Sequence, residues 1–231
     1  MDKKLIYIAD DEANICNIIK SFLVNDGYEV EAFNDGRSLL EAFSIRQASM
    51  LIIDIMMPQM DGFSLCTAIR QKSTVPIIIV SAKDTEADKI AGLTLGSDDY
   101  LTKPFSPMEL LARVKSIFRR VYLDKAQDKE AQVIQASDIS INPVSKQATC
   151  KNKELCLTGT EFSLLCYLLE NKNRAVSRHE LLDKIWGFEN DVETRATDDM
   201  IKRIRKKLLA ADSMLKIDTI WGFGFKIQEE E

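Results

Sequence analysis

Between residues 4 and 120 five short apolar runs alternate with five longer segments of helical period, and this alternation narrows the folds open to the chain more than any other feature. The runs are LIYIA (5–9), YEVEAF (28–33), MLIID (50–54), PIIIVS (76–81) and DYLTK (99–103). The helical-period segments cover 12–25, 36–46, 61–71, 84–95 and 106–120. A short apolar run closed by turn residues suits a strand buried on both faces. Strands alternating with helices predict a parallel sheet with helices packed on either side. The expected fold class is therefore α/β, a doubly wound five-stranded parallel sheet. Helix starts are marked by Asp61 before GFSLCTAIR, and by Ser106-Pro107 with Glu109 in the first turn. No G-x-G-x-x-G follows the first run and no P-loop occurs, which argues against a nucleotide-binding site of either kind.

After residue 120 the pattern changes. Residues 121–135 (VYLDKAQDKEAQVIQ) are polar and charge-rich without apolar periodicity, the composition of a linker between a domain over 1–120 and a second over 136–231. The second region opens with short strand-like pieces, IQASDISINP and QATCKNKELCL. Helical segments follow at 159–171, 178–186 and 193–210, and a hairpin-like LKIDTIWGFGFKI closes the chain, so a smaller α+β domain is expected.

Composition excludes several functions. The single histidine, His179, provides no His-rich metal site and no Ser-His-Asp triad. Five cysteines (Cys16, Cys66, Cys150, Cys156, Cys166) without a C-x-x-C pair fit reduced thiols in the cytoplasm. The N-terminal apolar run is too short for a signal peptide, and no stretch has the length of a membrane-spanning helix, so a cytoplasmic protein without membrane contact is expected. A formal net charge of −5 shows no global attraction to nucleic acid.

Within MLIIDIMMPQMDG (50–62), Asp54 ends a run otherwise suited to burial. An unpaired buried carboxylate is costly, so Asp54 needs a cation, hydrogen bonds or a chemical task. Taken alone, a strand-end cap explains it. Open parallel sheets, however, bind ligands at the carboxyl ends of their strands, and the polar residues gather at those ends. Asp10 and Asp11 end the first strand, Asp54 the third, Ser81 the fourth and Lys103 the fifth. Carboxylates crowded in one cleft repel unless a cation joins them. Magnesium suits them, being hard and oxygen-seeking and needing few direct carboxylates. With Lys103 as a second cation and Ser81 as a hydroxyl donor, the set has the charge and positioning required for phosphoryl transfer, with Asp54 as acceptor.

The pieces ADDE (9–12), DIMMPQMDG (54–62), VSAK (80–83), GSDDY (96–100) and KPF (103–105) resemble the receiver domain of a bacterial response regulator, a flavodoxin-like fold. The resemblance implies that Asp10, Asp11, Asp54 and the backbone carbonyl of Met56 hold magnesium. It implies phosphorylation of Asp54 by a sensor histidine kinase and a cis peptide before Pro104. Ser81 and Tyr100 would form the switch pair, although an ordinary core aromatic also explains Tyr100.

The segment ETRATDDMIKRIRKKLLA (193–210) places Thr197, Ile201, Ile204 and Leu208 on one helical face. Arg195, Asp199, Lys202, Arg203 and Lys206 fan over the opposite face. A charged face is usually just solvated. Here five cations occupy six positions, 202–207, in a region with 17 basic and 19 acidic residues over 121–231. Such a local concentration fits DNA phosphates, and a basic helix fits a major groove. LTGTEFSLLCYLLEN (157–171), SRHELLDKIWG (177–187), TRATDDMIKRIRKKL (194–208) and TIWGFGFKI (219–227) resemble the winged helix of OmpR/PhoB response regulators. With both halves matched, a two-domain transcription regulator binding double-stranded promoter DNA is implied. Relatives often have Val and His at the places of Asp199 and Met200. Asp199 could accept from a cytosine amino group, but pairing with Arg195 or Arg203 at helical spacing is the favoured expectation. Trp221 stands where many relatives have a minor-groove Arg, and Phe225 where Tyr is usual, so the resemblance carries no minor-groove contact over to this wing.

In this family the face made by segments 84–95, 99–103 and 106–120 joins receivers as dimers on phosphorylation. Lys89, Asp99, Glu109 and Arg113 match its intersubunit ion-pair positions, with Leu93 and Ala112 at the apolar centre. Lys115 also matches, but Thr94 replaces its usual acidic partner. At about 1 kcal/mol or less per exposed pair, that loss weakens such a dimer without abolishing it. Two other functions compete. One is a magnesium-dependent phosphatase with an aspartyl-phosphate intermediate, disfavoured because the first strand ends in adjacent acids rather than D-x-D. The other is a constitutive regulator, disfavoured by the intact acidic set.

Overall fold

The five apolar runs become β1 (Leu5–Ala9), β2 (Glu29–Phe33), β3 (Met50–Ile53), β4 (Ile77–Ser81) and β5 (Asp99–Thr102). All pair in parallel, in the order β2-β1-β3-β4-β5. The computed structural model describes residues 3–85, 88, 91–92, 95–122, 133–186 and 195–228, with residues 120–122 and 195 described by backbone alone. The chain divides into two compact units, Met1–Lys115 and Ser116–Glu231.

In the first unit every residue of β1, β3 and β4 is buried, as expected of strands covered on both faces. The flanking helices are α1 (Ala13–Asn25), α2 (Gly36–Ile45), α3 (Gly62–Arg70) and α4 (Pro107–Tyr122). Of the segment 84–95, Asp88, Ala91, Gly92 and Leu95 are described as helical, whereas Lys89, Leu93 and Thr94 lie outside the described residues. Asp61 caps α3 as its sequence position predicts, its carboxylate accepting from Ser64 N at 2.7 Å. Gly62 follows because a Cβ there would lie 2.2 Å from the carbonyl oxygen of Asp54. Only glycine lets α3 start so close to the end of β3.

The expected linker is shorter at both ends, since α4 includes residues 121–122 and the next strand includes 134–135; residues 123–132 lie outside the described residues. The second unit begins with an antiparallel sheet of β6 (Ile134–Ala136), β7 (Ile139–Asn142), β8 (Gln147–Cys150) and β9 (Lys153–Glu154). Then come α5 (Gly159–Glu170), β10 (Val176–Ser177), α6 (Arg178–Trp186), α7 (Arg195–Ala210), β11 (Lys216–Ile220) and β12 (Gly224–Gln228). Thr158 and Glu161 form a capping box at the start of α5. The two-residue β10 joins the terminal hairpin in the order β10-β12-β11. It passes so close that a Cβ at Gly224 would sit 1.9 Å from Val176 O.

Candidate functional site

Parallel pairing of β1, β3, β4 and β5 brings their carboxyl ends to one sheet edge, where Asp10, Asp54, Ser81 and Lys103 follow or end their strands. Asp54 is 3% exposed. Its Oδ1 accepts from Met56 N at 3.0 Å and its Oδ2 receives Lys103 Nζ at 2.6 Å. Lys103 also reaches Asp10 Oδ2 at 2.8 Å and Glu12 Oε1 at 3.2 Å. The ammonium thus supplies the cation that a buried Asp54 needs. Burial works against the charge of Lys103, but hydrogen bonds to Asp10 and Asp54 outweigh it and hold the pKa above that of an ordinary lysine. Burial pushes the Asp10 carboxyl above its usual range, against the pull of Lys103. The Lys103–Pro104 peptide is cis, as the resemblance implied.

Asp10, Glu12 and Asp54 offer carboxylate oxygens within 4.8 Å of one another, an acidic pocket able to hold a metal ion. Glu12, not anticipated, belongs to this group, and its backbone N–H bonds Asp10 Oδ1 at 2.9 Å; Asp11 and Glu12 are both exposed at the pocket's rim. The alternation of apolar residues marked this strand end but not Glu12 as a member of the pocket. Met56, at the rim, is exposed.

Ser81 is fully buried, and its Oγ accepts from Lys83 N at 3.3 Å. Tyr100 is half-buried, its hydroxyl donating to Lys83 O at 2.7 Å. Burial raises the phenol pKa to about 12, so it remains a donor. A Cβ at Gly92 would meet the Tyr100 ring at 2.9 Å, which shows how closely the ring lies against that helical segment.

On the expected dimer face the pairing is within the chain. Arg113 Nη1 lies 2.9 Å from both carboxylate oxygens of Asp99, and Nη2 lies 2.9 Å from Glu109. Asp99 and Arg113 are buried. Ala112 is exposed. Lys115 pairs within the chain, with Asp26 at 2.7 Å.

In the second unit Thr197, Ile201, Ile204 and Leu208 of α7 are buried as predicted. The opposite face is not one solvent-facing arc. Arg203, 10% exposed, binds Glu161 of α5. Asp199 is 1% exposed; Lys202 Nζ donates to its Oδ1 at 3.0 Å, and among the described residues its Oδ2 has no partner. The partner of Asp199 among the described residues is thus Lys202, and Arg203 turns to Glu161 instead. Arg205 binds β11, and Lys207 binds Glu161 Oε2 and Cys156 O. Lys202 and Lys206 remain exposed, and the Arg195 side chain lies outside the described residues. Phe225, 1% exposed, belongs to the core.

The family profile of the response regulator receiver domain matches residues 6–115, and that of the C-terminal domain of transcriptional regulatory proteins matches 152–227. The chain is 40% identical to the regulatory protein VanR of Enterococcus faecium over 97% of its own length and 98% of the relative's. It is 37% identical to the transcriptional regulatory protein YclJ of Bacillus subtilis, over 97% and 99%. The crystal structure of DrrB, an OmpR/PhoB homologue from Thermotoga maritima, matches with a TM-score of 0.52 and 29% identity, covering 98% of this chain and all of that one.

Proposed function

Because the chain belongs to the OmpR/PhoB family of two-component response regulators, a receiver domain joined to a DNA-binding domain, we propose that Asp54 receives the phosphoryl group through which a sensor histidine kinase controls its binding to DNA. The protein is a transcription regulator rather than an enzyme, and the comparisons give the phosphatase alternative no support. A regulator of promoters works where the DNA is, in the cytoplasm. The observation that carries the phosphoacceptor reading is Lys103 Nζ at 2.6 Å from Asp54 Oδ2 in an acidic cleft at the strand ends. A lone pair on an Asp54 carboxylate oxygen attacks phosphorus as the bond to the kinase imidazole breaks. Lys103 then holds the new phosphoryl oxygens, and the Ser81 hydroxyl turns from Lys83 to donate to one of them. With Ser81 turned, the ring of Tyr100 swings into the space vacated, and the two alter the surrounding face.

The pocket's hard oxygen donors fit magnesium, for which Asp10, Asp54, the Met56 carbonyl and either Asp11 or Glu12 would be the ligands. Bound there, magnesium supplies positive charge against the carboxylates and the incoming phosphoryl oxygens. Phosphorylation is also proposed to favour homodimers, which would bind tandem half-sites with α7 of each copy in a major groove. Lys202, Lys206 and Arg195 are the proposed phosphate contacts.

The test is labelling with acetyl phosphate. Wild type should take up acid-labile phosphate only with millimolar magnesium, and magnesium should raise its melting temperature. Asp54→Asn should fold, take up none, and lose most of the thermal shift. Equal labelling of Asp54→Asn would place the acceptor elsewhere.

A further inference from the structure

Asp199 is the fifth residue of α7, and it stands among the cations of that helix. At 100° per residue it lies roughly 20° around the helix from Lys206 and 60° from Lys202. Both lysines are exposed, yet Asp199 is buried. Its Oδ1 accepts from Lys202 Nζ, and among the described residues its Oδ2 has no partner. A buried carboxylate oxygen without a donor is costly. The pair it does have is weak, because it is formed at i,i+3 with a lysine side chain that is 67% exposed.

The other carboxylate buried against α7 shows the contrast. Glu161 takes Arg203 on one oxygen, and Lys207 and the backbone N–H of Thr158 on the other. Asp198, the neighbour of Asp199, has both oxygens on Arg178. Cations are therefore plentiful around this helix, and they leave Asp199 Oδ2 unanswered.

We propose that Asp199 selects cytosine: when α7 lies in a major groove, Lys202 passes to a phosphate and the carboxylate turns outward to accept from the 4-amino group of one cytosine in each half-site. The proposal rests on the DNA-binding reading of α7. The turn is short, since exposed Lys206 projects from nearly the same side of the helix. The position also suits reading, because residues in the N-terminal part of a recognition helix are those that reach base edges. Among those edges only cytosine offers a carboxylate a donor without an adjoining acceptor. Guanine presents two acceptors, thymine an acceptor and a methyl group, and adenine an amino group beside the N7 lone pair. A carboxylate held among phosphates is repelled unless a base donates to it. Duplexes without the cytosine are thus rejected while those with it are favoured.

The probe is a set of duplexes that full-length protein, treated with acetyl phosphate, retains from a random-sequence pool. Sequencing should show one cytosine that wild type requires in each half-site. Replacing it with a base that lacks only the 4-amino group should cost wild type at least about fivefold in affinity. Asp199→Ala should bind both duplexes alike, and its own retained pool should show no preference at that position. Asp199→Asn, whose amide both donates and accepts, should move the preference to adenine. That gain cannot come from a misfolded helix, so it decides the matter even if the alanine variant is unstable. If wild type tolerates loss of the 4-amino group at every cytosine, or Asp199→Ala and Asp199→Asn select the same sequences as wild type, the cytosine contact is wrong and the DNA reading stands. If no duplex is retained, the DNA reading of α7 falls and the contact with it.

Discussion

Arg203, on the helix proposed to read DNA, donates from Nε at 2.8 Å to Oε1 of Glu161, a carboxylate with no exposed surface. Lys207 reaches Oε2 of the same group at 2.5 Å, and Thr158 N reaches it at 2.8 Å. Glu161 therefore joins the start of α5 to the middle of α7. Removing the arginine takes away one of the two cations on a buried carboxylate, leaving Lys207, a loss of about 1–3 kcal/mol. Arg203→Ala should accordingly lower the urea midpoint of the second unit strongly, read by the emission of Trp186. A midpoint within error of wild type would mean that the pair contributes nothing.

Lys202 and Lys206 call for a different outcome. Both are exposed, so alanine at either should leave the urea midpoint nearly unchanged. Each substitution should weaken binding to all duplexes and reduce the salt dependence by about one charge. Binding isotherms from low to moderate salt measure this. Identical slopes for wild type and both variants would remove α7 from the phosphates.

Glu180 gives the second unit a defined acid sensitivity. Hydrogen bonds from Arg174 and then Tyr167, at 2.6 Å for the phenol, lower its carboxyl pKa from 4.5 to about 2. Because the folded value is the lower one, its contribution is complete above about pH 4.5 and is lost as pH falls through about 2. Denaturation midpoints of wild type and Glu180→Gln should therefore differ at neutral pH and converge towards pH 2. A gap constant over that window would show that the ionised carboxylate is not what stabilises.

Dimer coupling is best probed at Glu109 rather than Arg113. Arg113→Ala strands the buried carboxylate of Asp99 and would perturb the receiver itself. Glu109 is half exposed, and its bond to Arg113 is one of two acidic contacts of that guanidinium. Phosphorylated wild type is expected to sediment as a dimer and to gain far more affinity for two tandem half-sites than for one, through raised effective concentration. Glu109→Ala should blunt the two-site gain and spare one-site binding. A phosphorylated protein that stays monomeric and gains equally on both duplexes would replace the dimer mechanism with relief of inhibition.

The positions of β1 to β5 and of the helices between them were legible in the sequence, because each depends on residues adjacent in the chain. An apolar run between turn residues is a buried strand wherever it lies, and Asp61 caps α3 through a bond to a residue three positions on. The meeting of Asp10, Asp54 and Lys103 was legible for the same reason, since parallel pairing sends every carboxyl end to one edge. What only the tertiary structure decided is which charges find partners far away in sequence. Helical periodicity put Arg203 on the polar face of α7, yet it cannot register a buried Glu161 that lies 42 residues earlier. The same limit hid the approach of Glu12 to Lys103, the in-chain pairing of Arg113 with Asp99, and the two-residue β10, too short to have a period. Spacing along the chain determines which way a side chain faces from its own element, and packing between elements determines what it meets there.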